Sequence, residues 1–165
     1  MQNLRIHKIV VHMGVGESGE KLSKAEEVLS TITAQKPVKS LAKKTQPAFG
    51  TRKGSPIGCK VTLRGDAAEA FFTTSLGIVD RQLAVSQFDE RGNFSFGIEE
   101  HTDFPGMSYD PSIGIFGMDI NVVLEKRGSR ISRRKMVQKK LPERQRVRRD
   151  EAILYLQERY KAEVL

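Results

Sequence analysis

The chain has 165 residues, 38% of them hydrophobic and 29% charged, which suits one domain spanning 1–165 with a modest core. Twenty-eight Lys and Arg against twenty Asp and Glu leave a net charge of +8, the signature of a polyanionic partner. A lone cysteine, Cys59, excludes an intramolecular disulfide and a multi-cysteine zinc site, and His7, His12 and His101 are too scattered to suggest a metal; no cofactor is expected. No apolar run approaches the ~18–20 residues that span a bilayer. The start, Met1 to Lys8, lacks the apolar core of a secretory signal, so a cytoplasmic protein with no membrane partner is expected.

Leu4 to Met13 is rich in β-branched residues and reads as a strand, ended by Gly14, Gly16 and Gly19. A helix from about Leu22 to Ile32 follows, with Leu22, Ala25, Leu29 and Ile32 along one face and Ser23 with Glu26 offering a capping box. Pro37 stops it, and Val38 to Leu41 reads as a short strand. A loop punctuated by Gly and Pro, Lys43 to Gly58, leads to a strand from Cys59 to Leu63. Asp66-Ala-Ala-Glu69 has the form of a cap for a second helix that turns Ala68, Phe71, Phe72 and Leu76 inward. Asn93 to Ile98 alternates as a strand, Thr102 to Ser112 is rich in turns, and Met118 to Leu124 is another strand. The stretch 126–149 lacks an apolar period and is expected to order only against a partner. Asp150 then reads as the cap of a last helix carrying Ile153, Leu156 and Tyr160. The order β-α-β-β-α-β-β-α predicts an α+β fold: a largely antiparallel sheet with helices packed on one face, plus a long basic loop. The other face of such a sheet is free to meet a ligand.

Charge is strongly segregated. Residues 36–64 hold eight basic side chains and no acid, and residues 126–149 hold twelve against one, Glu143. These windows carry +8 and +11 of a chain whose total is +8, so the remainder stands at −11. Soluble domains normally intersperse the two signs. Two such blocks on an acidic body point to a phosphate-rich partner. A membrane-surface role fits poorly, because 126–149 has too few apolar residues for an inserting helix face.

Gly14-Val-Gly-Glu-Ser-Gly19 matches G-x-G-x-x-G, the fingerprint of a dinucleotide enzyme. The next strand, however, ends in Lys43-Lys44 where a ribose-binding carboxylate belongs, and repeated βαβ units are missing. A tight turn is the better reading. Cys59 has no identifiable base and reads as a small core filler, while Glu99, Glu100 and His101 read as surface charge. No enzyme is expected. In the loop, Lys43, Lys44, Arg52 and Lys53 can neutralise phosphates, and Phe49 can stack on an exposed base. Lys60, Thr62 and Arg64 share one strand face by period two, opposite Val61 and Leu63, and such a polar, basic face suits rRNA binding through phosphates and 2′-hydroxyls.

Six blocks then stand in order: Lys8-Ile-Val-Val-His-Met-Gly-Val-Gly-Glu17, Thr33-Ala-Gln-Lys-Pro-Val38, Ala42-Lys-Lys-Thr45, Gly58-Cys-Lys-Val-Thr-Leu-Arg-Gly65, Asn93-Phe-Ser-Phe-Gly-Ile-Glu-Glu-His101 and Tyr109-Asp-Pro-Ser-Ile-Gly-Ile-Phe-Gly-Met-Asp119. Over nearly its whole length the chain resembles the large-subunit ribosomal protein family that binds 5S rRNA, fifth in the bacterial series and eleventh in the eukaryotic one. Val123-Leu-Glu-Lys-Arg-Gly-Ser-Arg-Ile131 onward resembles its archaeal and eukaryotic branch. The resemblance implies binding of 5S rRNA and large-subunit rRNA in the central protuberance, beside a neighbouring 5S-binding protein. It also implies contact with a small-subunit protein across an intersubunit bridge, near Thr102 to Asp110, and with the P-site tRNA elbow through Lys43 to Gly54. By motif, the implied 5S-binding positions are His12, Gln35, Thr62 and Phe49; no role is carried into 132–148.

Overall fold

The β-branched run at the start forms strand β1, Leu4–Gly14. The computed structural model describes residues 3–165; Met1 and Gln2, which open the segment read as lacking a secretory core, lie outside them. The buried residues of β1 are Ile6, Ile9, Val11 and Met13, so its alternation skips one position at His7–Lys8. Helix α1 spans Glu20–Thr33 and buries Leu22, Ala25 and Leu29, as their spacing predicts; Val28 joins them, and Ile32, expected on the same face, is only half-buried. The capping box expected from Ser23 and Glu26 is absent. The helix opens earlier, behind Gly19 at φ 118°, and Ser23 lies a full turn inside it, where its hydroxyl donates to the Gly19 carbonyl at 3.4 Å. Glu26 instead faces Lys39 Nζ at 3.5 Å.

Strand β2, Val38–Leu41, pairs antiparallel with β3, Pro56–Leu63; Val38 lies opposite Lys60 and Ser40 opposite Gly58. Helix α2, Asp66–Ile78, buries Ala68, Phe71, Phe72 and Leu76, as expected. Asp66 is its first residue rather than its cap. Gly65 occupies the cap position, and the Asp66 and Glu69 carboxylates sit in the first turn, where the helix dipole favours negative charge. Helix α3, Arg149–Tyr160, likewise has Arg148 at the cap, with Asp150 inside the first turn. Two short strands, β4 at Gln82–Leu83 and β7 at Glu163–Val164, form a parallel pair that two-residue segments cannot announce by alternation. With β5, Phe94–Ile98, and β6, Met118–Lys126, the main sheet is five-stranded and mostly antiparallel, in the order β2-β3-β1-β6-β5. The fold is α+β.

The chain forms two compact units. One contains the chain up to Ile9 together with Arg64–Phe96 and Asn121–Leu165. Its core gathers Phe72 of α2, Phe94 and Phe96 of β5 and Tyr160 of α3; Phe72 meets Tyr160 edge-on at 4.9 Å between ring centres and Phe94 at 5.8 Å. The other unit contains Val10–Leu63 and Gly97–Ile120. Here α1 packs on β3, covering the side that carries Cys59, Val61 and Leu63 and leaving Lys60 and Thr62 exposed on the reverse. That one-sided packing keeps a polar strand face open to solvent.

Candidate nucleic-acid interface

The open face of β3 is built by period two. Cys59, Val61 and Leu63 are buried, whereas Lys60 and Thr62 point outward. Cross-strand pairing adds Val38 and Ser40 to the same face, because directly opposed residues of two strands point the same way. His12 of β1 belongs there too. A side chain added at Gly58 would lie 2.9 Å from Ser40 Oγ and 3.4 Å from His12 Nε2, so the glycine makes room for both. The other imidazole nitrogen of His12 stands 3.6 Å from Asp119 Oδ2. Gln35 is exposed just beyond the left-handed residue Ala34 that closes α1, where the chain enters β2 at the Lys60 end of β3.

The basic loop leaves from the far end of the same strand pair. It is a hydrogen-bonded hairpin. Ala42 N–H donates to Ser55 O at 2.9 Å, Gly54 N–H to Ala42 O at 2.9 Å, and Gln46 and Thr51 exchange bonds of 2.9 and 3.2 Å. A tight turn at Pro47–Phe49 forms the tip, with Phe49 77% exposed. Lys43, Lys44, Arg52 and Lys53 are all exposed around it. Thr62 lies six residue steps along the strand from Pro56, about 20 Å at strand rise. Phe49 therefore groups with the loop cations and not with Lys60, Thr62 and Gln35.

Seven of the eight basic residues of 36–64 have no carboxylate partner among the described residues; Lys39, paired with Glu26, is the exception. Unpaired cations on an exposed face remain available to phosphate oxygens.

Arg64 is exposed, like Lys60 and Thr62. It follows the end of β3 and belongs to the first unit, where its guanidinium reaches His7 Nε2 at 2.9 Å. Arg133 reaches the same nitrogen at 2.7 Å. With both guanidiniums donating, Nε2 is the acceptor, and the ring proton rests on Nδ1, which faces Glu125 Oε2 at 3.2 Å. Burial holds the His7 pKa below its ordinary 6.5, with Arg133, Arg64 and Lys8 adding to the effect and Glu125 opposing it. No sequence signal links His7 to a residue 126 positions away; only the folded chain brings them together.

The remaining motifs resolve as structure. Val15 and Gly16 N–H both donate to Ile57 O, at 3.2 and 2.8 Å, so backbone donors of the glycine-rich turn serve the sheet. Cys59 is fully buried, and burial pushes its thiol up to about 11, far from a thiolate at neutral pH. His101, expected at the surface, is buried, because its Nδ1 accepts the Phe116 N–H at 3.3 Å and its ring packs near Phe116. The block 126–149, expected to order only on a partner, folds back on its own chain. Lys126 is buried against Glu151 at 2.7 Å, Arg133 pairs with Glu125 at 2.5 Å, and Gln145 donates to Arg127 O at 2.6 Å. Among the described residues no helix is long and apolar enough to cross a membrane.

Comparison with known proteins gives two adjoining family matches: ribosomal protein L5 over residues 1–52, and the C-terminus of the same ribosomal protein family over residues 56–153. The large ribosomal subunit protein uL5 of Methanoregula boonei is 67% identical over 164 residues, covering 99% of each chain. The uL5 of Methanoculleus marisnigri is 64% identical over 164 residues, covering 99% of this chain and 98% of its own, and that of Methanospirillum hungatei is 57% identical over 163 residues, covering 99% and 97%. An α+β scaffold with one basic strand face, matched end to end by archaeal relatives at this identity, belongs to the ribosomal protein L5 family.

Proposed function

We propose that this protein is a structural, non-enzymatic component of the archaeal large ribosomal subunit, working in the cytoplasm, that binds 5S rRNA and helps attach it in the central protuberance. The observation that carries this reading is the open β3 face. Lys60 supplies a charge for phosphate and Thr62 a hydroxyl for RNA 2′-hydroxyls, with His12 and Ser40 beside Gly58 on the same surface. Gln35 adds an amide where the chain enters β2. In this reading the whole chain acts as one RNA-binding domain. The hairpin 43–54 presents Lys43, Lys44, Arg52, Lys53 and Phe49 to the P-site tRNA elbow, since a stacking ring among free cations suits unpaired or irregular RNA. The turn-rich stretch 102–110, with Tyr109 exposed, meets the small-subunit bridge protein; the remaining surface adjoins large-subunit rRNA and the neighbouring 5S-binding protein.

The test is binding of 5S rRNA against an unrelated structured RNA of equal length across a salt series. Preference for 5S rRNA and a steep loss of affinity with salt are expected, because each neutralised phosphate releases counterions. Equal affinity for both RNAs overturns the reading.

A further inference from the structure

We propose that the folded basic block 126–149 forms a second RNA site, a pocket that takes one unpaired nucleotide. The proposal rests on the RNA-binding reading above and assigns a role to the most basic stretch of the chain. A cavity of about 670 Å³ opens between β6 and this block, within the size range of small-ligand pockets. Leu141 and Val147 give it an apolar wall, and Arg91, Lys139, Lys140 and Arg146 bring four cations to its lining. None of these four makes an ion pair with a carboxylate among the described residues.

The pocket has one carboxylate, Glu125, and its oxygens are already engaged. Oε1 receives Arg133 Nη2 at 2.5 Å; Oε2 receives the Ser129 hydroxyl at 2.7 Å and faces His7 Nδ1 at 3.2 Å. Negative charge is therefore neutralised at the pocket while positive charge is left free, which favours an anionic occupant. The walls are also fixed rather than loose. Gln138 donates to Ser132 O at 2.5 Å and Gln145 to Arg127 O at 2.6 Å, pinning both arms of the block to the turn that follows β6.

An apolar wall inside a ring of cations matches the two halves of a nucleotide. The base lies against Leu141 and Val147, where Arg91 or Arg146 can stack on it, and the flanking phosphates meet Lys139 and Lys140. A continuous duplex keeps its bases stacked inside and offers only phosphates. The occupant is thus a nucleotide from a single-stranded loop, bulge or end.

Leu141→Arg separates insertion from plain electrostatics, because it adds a positive charge while filling the base slot. The probe is a fluorescently labelled ten-nucleotide oligouridylate carrying one 4-thiouridine, used with the full-length protein. The expected result is binding about tenfold weaker for Leu141→Arg, together with a wild-type photo-crosslink between residues 138 and 147 that the variant loses. Equal or tighter binding by Leu141→Arg, with unchanged circular dichroism, overturns the proposal. So does a wild-type crosslink confined to residues 35–64, a result independent of any variant's folding. Selectivity of the wild type for 5S rRNA is measured alongside. If it persists while the crosslink is missing, the pocket alone is refuted; if it is absent, the 5S reading fails whatever the pocket does.

Discussion

Gly58 is the position where the open face and the sheet depend on the same missing atoms. Its backbone is not in a left-handed conformation, so an alanine there meets no torsional penalty, and the whole effect of Gly58→Ala is steric. The new methyl would stand 2.7 Å from the Met13 carbonyl oxygen of β1, 2.9 Å from Ser40 Oγ and 3.4 Å from His12 Nε2. The Ser40 hydroxyl can rotate away. The carbonyl belongs to the paired strand and cannot move without shifting β1. Overpacking of this kind costs about 1–3 kcal/mol, offset by about 0.4–1 kcal/mol from the stiffer unfolded chain. The net expectation is about 1–2 kcal/mol, or a fall in melting temperature of about 2–8 °C for a chain of this length. Gly14→Ala is the matched control: its methyl meets His12 Cε1 at an ordinary 3.5 Å and should leave the melting temperature nearly unchanged. The double variant Gly58→Ala/Ser40→Ala relieves the side-chain clash but not the carbonyl clash, so it should recover only part of the loss. Thermal melts followed by circular dichroism, with 5S rRNA affinity measured on the same samples, test this. A Gly58→Ala protein that melts at or above the wild-type temperature refutes the close approach of β1 and β3 at this point.

Thr62→Ala and Gln35→Ala should each weaken 5S rRNA binding by roughly 1–3 kcal/mol with unchanged circular dichroism, through loss of a polar contact whose RNA partner stays buried; unaltered affinity in both would put the RNA on another face. Replacing Lys43, Lys44, Arg52 and Lys53 together with Ala should spare 5S binding and subunit assembly yet speed P-site tRNA dissociation, most visibly at raised salt. Loss of assembly instead would make the hairpin part of the rRNA interface. Because the folded pKa of His7 is lowered, its contribution to stability is fully present above the ordinary value of 6.5 and is lost as pH falls through the folded value, when a proton on Nε2 would face the Arg64 and Arg133 guanidiniums. Melting temperature should accordingly drop further between pH 7.5 and 5.5 in the wild type than in His7→Gln, and parallel curves would dismiss the imidazole as the cause.

Local pattern alone determined much of this protein. Period-two burial was legible in Cys59, Val61 and Leu63 against Lys60 and Thr62, and helical spacing in Leu22, Ala25 and Leu29, because a strand or helix sorts its own side chains before it meets a neighbour. Charge segregation was legible too, since counting needs no fold. Gly58 was not legible in this way: it was read as the end of a loop, and only the structure starts the strand at Pro56 and sets Gly58 against β1. What tertiary structure decided involved partners distant in sequence or contexts that period does not encode. At α1 and α2 the capping residues shifted because the positive-φ glycines Gly19 and Gly65 set where the chain enters the helix. Lys126, one cation among twelve by composition, became buried because Glu151, 25 residues on, neutralises it. Arg64 was read as part of the strand with Lys60 and Thr62, but the strand ends at Leu63, and its contact with the His7 nitrogen, 57 positions away, is one that no period encodes. Phe49 stands with the hairpin's cations because Thr62 lies six residue steps along the strand from Pro56, and sequence order says nothing of which end of a strand pair a loop side chain will occupy.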